Sequence, residues 1–387
     1  MERELYLAND MRAPRMPDRT HRCWKSVALL IAIGGCTEPM QAEPGDLGTS
    51  GSGGAAAAGT AGTGGTVAAG GTGGWATSPP SCRVVEFTVP TAGCNPHAIT
   101  RGPDGNVWFT EWAGSKIGRI TPAGTITEFR IPPQSGAEDI TAGPDGNVWF
   151  SEWGYGLNSD NNVGRVTPTG VITEFPVGGG AQTSPFGITT GPDGNLWFTE
   201  FAAKRVGRMT SSGGALTEFP FSDPGSFAEP YDIIAGPDGN LWFTDFGTDT
   251  IRRITPTGTI AQFPAAGRSP GGITVGPDGN LWFTESESDS NGNSIQGIGR
   301  ISMDGTITDF PLPEPDSAPF DIVAGPDGNL WFTDSTRNEV GRISPDGTVA
   351  RCPVPTADSM PERIAVGADG QLWFTEWSGN RIGRMAP

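Results

Sequence analysis

Gly102-Pro103-Asp104-Gly105-Asn106-Val107-Trp108-Phe109 is the stretch that decides the fold of this chain. The same phrase starts again, with small changes, at Gly143, Gly191, Gly236, Gly276 and Gly325, and a more altered copy starts at Gly367. The intervals are 41, 48, 45, 40, 49 and 42 residues. A repeat of this length, made of short alternating segments and Gly-rich turns, predicts a β-propeller with one blade per copy. Within the first unit, His97–Arg101 reads as a strand. Pro103 then presets one turn position and Gly105 admits positive φ. Asn106–Glu111 alternates about Trp108 as a second strand, Lys116–Thr121 makes a third and Thr125–Phe129 a fourth. The fold class is therefore all-β, a seven-bladed propeller of four-stranded blades over residues 83–387.

The last unit stops at Arg384-Met385-Ala386-Pro387, after its third strand. Val84-Val85-Glu86-Phe87 has the pattern of a fourth strand, like Ile126-Thr127-Glu128-Phe129. The N-terminal strand, over 84–88, is expected to complete the last blade and remove a free edge.

Residues 1–35 read as a lipoprotein-type signal. Arg19, Arg22 and Lys25 precede an apolar run from Val27 to Ile33, too short to span a bilayer, and Gly34-Gly35-Cys36 follows. Cys36 is the expected lipidation site, and an ordinary cleaved signal is the alternative. Residues 36–82 form a Gly/Ala/Thr-rich tether that cannot bury a core, with a span of roughly 35 Å. The chain is thus expected to be exported, as an outer-membrane-anchored lipoprotein or otherwise secreted, touching membrane only through its lipid. Cys82, Cys94 and Cys352 remain after the signal and Cys36. Cys82 and Cys94 flank an extended segment that would hold them about 20 Å apart, so that pair is not expected.

The chain carries 25 Lys+Arg against 43 Asp+Glu, a net charge of −18. Nucleic acid needs a basic face and is excluded as a partner. Three residues after each core Trp stands an acid (Glu111, Glu152, Glu200, Asp245, Glu285, Asp334, Glu376). Each third strand carries an Arg (Arg119, Arg165, Arg208, Arg253, Arg300, Arg342, Arg384). Matched acids and arginines predict a repeated structural ion pair; a metal-binding ring of carboxylates is the alternative. The Asp-Gly-Asn segments lack the further carboxylates of a calcium loop and read as turns.

Function is expected where the repeats differ. The residue eleven before each core Trp enters the innermost strand on the face opposite the Gly-Pro-Asp-Gly turns. In blade order it is His97, Glu138, Phe186, Tyr231, Gly271, Phe320 and Glu362. Blades seven, one and two are neighbours, so Glu362, His97 and Glu138 fall side by side. The same blades follow their second-strand acid with Trp377, Trp112 and Trp153. An imidazole between carboxylates can be tuned as a general base, and the Trp residues, with Tyr231, supply an apolar wall for a small-molecule or peptide ligand. The longer loops Gly154–Asn162 and Ser286–Gly297 share that face.

The repeated wording (Pro-His-Ala-Ile-Thr, Leu-Trp-Phe-Thr-Glu, Ile-Gly-Arg-Ile-Thr, Ile-Thr-Glu-Phe-Pro) resembles the virginiamycin B lyase, or streptogramin B lyase, family across residues 83–387. The resemblance implies a monomeric propeller and a magnesium-dependent carbon–oxygen lyase that opens the lactone of a cyclic depsipeptide by elimination. It also implies a catalytic His, assisted by a second His and a Glu on the following blade. Pro96-His97-Ala98-Ile99-Thr100 with Trp108–Trp112 matches the blade of the first His, and Glu152 matches the Glu. The second His is replaced by Glu138, and the acid two residues before it by Gly136. The chain has two His, and His21 lies in the signal, so His97 alone remains. Either Glu138 is the substitute catalytic group, with Glu138 and Glu152 holding the magnesium, or the chemistry differs. A non-catalytic surface propeller that binds a ligand, glycan or protein is the competing expectation.

Overall fold

A computed structural model describes residues 82–387 except 133–134, 155–160, 179–182, 222–226, 266–267, 289–293 and 315. The signal, the tether, Cys36 and parts of both long loops lie outside the described residues. The rest is seven antiparallel four-stranded sheets. Blade one is Pro96–Arg101, Val107–Glu111, Lys116–Ile120 and Ile126–Arg130. Blades two to six open with Ser135–Ala142, Pro185–Thr190, Pro230–Ala235, Pro270–Val275 and Pro319–Ala324. Blade seven contributes Pro361–Val366, Leu372–Glu376 and Arg381–Met385, and Val84–Thr88 lies antiparallel beside Arg381–Met385 with Val84 opposite Met385. The first and last segments of the propeller thus share one sheet. Among the described residues no helix is long and apolar enough to cross a membrane.

The seven core Trp side chains are at most 2 % exposed and sit between blades. Trp108, for example, packs with Ala137, Ile140, Val148 and Phe150 of blade two. Its indole N–H donates to Asp104 Oδ1 at 3.0 Å, and Asp104 also accepts from Asn106, so the turn and the core residue are tied together. The Asp-Gly-Asn segments are turns throughout.

The expected pairing of the second-strand acids with the seven matched third-strand arginines does not form. Arg119 stands opposite Trp108, whereas Glu111 stands opposite Lys116. Side chains alternate along a strand, so a residue three places from Trp108 is on the other face of the sheet from Arg119. The guanidinium lies over Trp108 and Phe129, 5.4 and 5.5 Å from the ring centres, and donates to Pro168 O of blade two at 2.7 Å. Its nearest acid is Asp104, at 3.8 Å. Arg165, Arg208, Arg253, Arg300 and Arg384 repeat the stack. Next to it, in blades one to six, the turn glycine approaches the fourth-strand Phe of the preceding blade closely. Gly124 has φ +89°, and a Cβ there would lie 2.1 Å from Phe87 of blade seven.

Cys82 is disulfide-bonded to Cys352 in the outer strand of blade six, and Cys94 is a buried free thiol. The bond joins residues 270 apart and holds the segment leading into Val84–Thr88 against the neighbouring blade. Cross-links that close long loops restrict the unfolded chain, with typical contributions of about 2–4 kcal/mol. Cys352→Ser is therefore expected to lower the thermal midpoint by several degrees, and a reductant should do the same to the wild type but not to the variant. Equal midpoints with and without the bond would show that the propeller closes without its help.

Candidate functional site

Every innermost strand carries a register shift at its start, between Pro96 and Ile99 in blade one and at the matching place in the other six. Such a bulge re-aims side chains. It lets two consecutive residues of each blade reach toward the channel axis. Hydroxyls of the preceding blade fix the backbone there: Thr375 Oγ1 donates to His97 O at 2.6 Å, Thr199 Oγ1 to Tyr231 O at 2.8 Å and Thr284 Oγ1 to Phe320 O at 3.1 Å. Thr333 does the same for Glu362, and Ser151 for Phe186.

The structure brings His97, Glu138 and Glu362 together. His97 Nδ1 lies 2.9 Å from Glu362 Oε2, and Nε2 lies 3.5 Å from Glu138 Oε2. All three are buried, at 6, 4 and 5 % exposure. Trp112 Nε1 donates to Glu138 Oε1 at 2.7 Å. Burial pushes the Glu138 carboxyl above its ordinary value, although the His97 charge and the Trp112 bond pull the other way. Trp377 packs edge-on against His97, with ring centres 5.4 Å apart, and contacts Trp112 at 5.3 Å.

Trp153 is part of the next stretch of wall, with Phe186 and Phe201, and Phe186 leads on to Tyr231 at 4.6 Å. Phe320 returns the line to His97 at 6.1 Å. The predicted Trp112, Trp153, Tyr231 and Trp377 all belong to this aromatic mouth. Phe186, Phe201 and Phe320 belong to it too and were not anticipated, although Phe186 and Phe320 occupy the same variable position.

The magnesium that the resemblance implies does not find its donor set here. The cation keeps near-octahedral oxygen coordination, from carboxylates and water. Glu138 is engaged by Trp112 and His97. Glu152 instead accepts from Asn162 at 3.0 Å, and burial, reinforced by Glu174, raises its carboxyl to about 8. The two carboxylates share no partner, Gly136 offers no side chain, and among the described residues no three His, Cys, Asp or Glu side chains are placed to hold one ion.

A larger omission from the sequence reading is Arg363. One residue past the variable position the blades carry Ala98, Asp139, Gly187, Asp232, Gly272, Asp321 and Arg363. Arg363 is 4 % exposed and crosses the channel. Its Nη1 lies 3.5 Å from Asp232 and 3.7 Å from Asp321, and its guanidinium is 5.4 and 5.6 Å from the ring centres of Tyr231 and Phe320. Burial works against the charge, but Tyr231, Asp321, Asp232 and Asp139 outweigh it and hold the group protonated. Asp139, Asp232 and Asp321 also accept backbone N–H groups of the next blades, at 2.8, 3.0 and 3.0 Å. From this layer a cavity of about 380 Å³ runs toward the Gly-Pro-Asp-Gly turns.

The same three blades differ in their buried acids. Arginines within 3 Å pair with Glu200, Asp245, Glu285 and Asp334 of blades three to six, although burial still raises Glu200 and Glu285 to about 7. Among the described residues none comes within ion-pair distance of Glu111, Glu152 or Glu376 in blades one, two and seven. Burial, reinforced by Glu128 and Glu86 respectively, raises Glu111 to about 7 and Glu376 to about 8. An acid whose pKa is raised by folding favours the folded state below its unfolded value and loses that contribution as pH rises through the folded one. Stability is therefore expected to fall between about pH 5 and pH 8.5. Glu376→Gln should flatten part of that slope in thermal melts; an unchanged slope would contradict the assignment.

A sequence model of the Virginiamycin B lyase family matches residues 78–291 and 273–387. Among solved structures, a streptogramin B lyase is 34 % identical, with 78 % of this chain and 96 % of that chain covered and a TM-score of 0.68. The virginiamycin B lyase of Staphylococcus aureus is also 34 % identical, over 79 % of this chain and 99 % of that one, with a TM-score of 0.70. A catalytically inactive form of the Staphylococcus aureus enzyme with quinupristin matches at 34 % identity, over the same shares, with a TM-score of 0.69. No curated protein matches the chain.

Proposed function

The chain belongs to the virginiamycin B lyase family, and from that premise we propose that its loop face binds an ester-containing cyclic peptide and opens the ring by elimination. The observation that carries this reading is the seating of His97, with one ring nitrogen held at 2.9 Å by Glu362 and the other turned toward Glu138. His97 Nε2 takes the proton from the carbon next to an amide carbonyl. That C–H electron pair becomes the new C=C bond as the neighbouring C–O bond breaks, and the ester leaves as a carboxylate; no water is consumed. Glu362 orients the imidazole. Glu138, at the position of the family's second His and biased by burial toward its protonated form, can donate a hydrogen bond to the ester oxygen as the C–O bond breaks, and the proton on His97 then passes to water. The aromatic mouth supplies the wall against which a rigid ring packs.

The family's magnesium is given no step, because Glu138 and Glu152 belong to separate networks. The replacements at Glu138 and Gly136 favour one other reading, a propeller that binds such a ring without opening it. We also propose that the protein works outside the cytoplasm, tethered through Cys36. The Cys82–Cys352 disulfide supports an oxidising compartment.

Incubation with quinupristin and a panel of lactone depsipeptides, followed by mass spectrometry, tests the chemistry. A ring-opened product of unchanged mass is expected, still formed after chelation of divalent cations. His97→Ala should lower turnover by about 10²–10⁴-fold while binding persists. Binding without turnover in the wild type would remove the lyase reading and leave the binder.

A further inference from the structure

Arg363 has donors to spare. Its two contacts with Asp232 and Asp321 both use Nη1, at 3.5 and 3.7 Å, while Nε and Nη2 are buried without any hydrogen-bond acceptor. A buried charged donor left unpaired is costly, so such groups recruit an oxygen, either from water or from a ligand. The rings that flank the guanidinium, Tyr231 and Phe320, stand at the variable position that also holds His97, and Phe320 touches His97 directly. The charged fork therefore lies between that mouth and the cavity toward the turns, which it also lines.

We propose that Arg363 is the anchor for the ester carbonyl oxygen of the ligand, through its unpaired Nε and Nη2 donors. This inference rests on the loop face being an ester-binding site. As the C–O bond breaks, that oxygen becomes part of a carboxylate, and a planar guanidinium matches a carboxylate with two parallel N–H groups. Fixed donors aimed at developing charge are an effective means of stabilising such a step. The three surrounding aspartates keep the guanidinium charged and in place, and each is already held by a backbone N–H of the next blade.

The test uses the full chain carrying His97→Ala, so that the ligand is not consumed, labelled with ¹⁵N at arginine and tryptophan. Saturation with quinupristin is expected to shift the Arg363 Nε–H resonance, assigned by through-bond correlation, together with the indole N–H signals of Trp112 and Trp377. Arg363→Lys keeps the charge but loses the fork, and is expected to weaken binding at least tenfold with little change in thermal midpoint. If the indole signals move while Arg363 does not, or Arg363→Lys binds equally well, the anchor is overturned and the loop-face site stands. If no signal moves, both are overturned.

Discussion

One contact recurs between neighbouring blades: in six of the seven an arginine guanidinium lies over a buried indole and a phenyl ring, and Arg119, Arg208, Arg253 and Arg384 also donate to a carbonyl in the following blade's turn. Arg119 over Trp108 and Phe129, donating to Pro168 O, is the pattern. A cation over aromatic faces gains from the ring quadrupole, and partial burial strengthens it. The close approach of Gly124 to Phe87 depends on the same packing, since a Cβ there would overlap the ring. With the blades locked at their outer and middle strands, the innermost strands need not match one another.

That freedom is where the chemistry lies. The bulge at each inner strand and the hydroxyl from the preceding blade set a fixed backbone frame, and the side chain mounted on it varies. In blades seven, one and two it is Glu362, His97 and Glu138, and the frame alone brings them into contact. Among the described residues the same sector lacks the arginines that pair with the second-strand acids of blades three to six. A scaffold of repeated parts thus carries a site made only of unrepeated ones.

Much of this was legible in the sequence, because copy number, turn chemistry and strand alternation are local. The blade count followed from the Gly-Pro-Asp-Gly phrase, and the grouping of Glu362, His97 and Glu138 from counting back to it. The expected acid–arginine pairing failed on parity: an odd separation from Trp108 puts Glu111 on the other face of the sheet from Arg119. Arg363 escaped because ordinary alternation allows only one of two consecutive residues to face the channel, and a bulge cannot be read from one sequence. Its signal was present all the same, in three aspartates and an arginine at a position otherwise occupied by Gly or Ala. The Cys82–Cys352 bond depended on which blades are neighbours, which only closure of the ring decides.

Membership of the virginiamycin B lyase family accounts for the scaffold, and the departures at Glu138 and Gly136 concentrate on the part that would do chemistry. The central claim is that ligand recognition belongs to the unrepeated sector of the loop face. A crystal structure of the His97→Ala protein soaked with quinupristin tests it most directly. The account predicts the ring seated over blades seven, one and two, against Trp112 and Trp377, with its ester oxygen on Arg363. A ligand lodged in the cavity on the turn face, or over blades remote from His97, would contradict it.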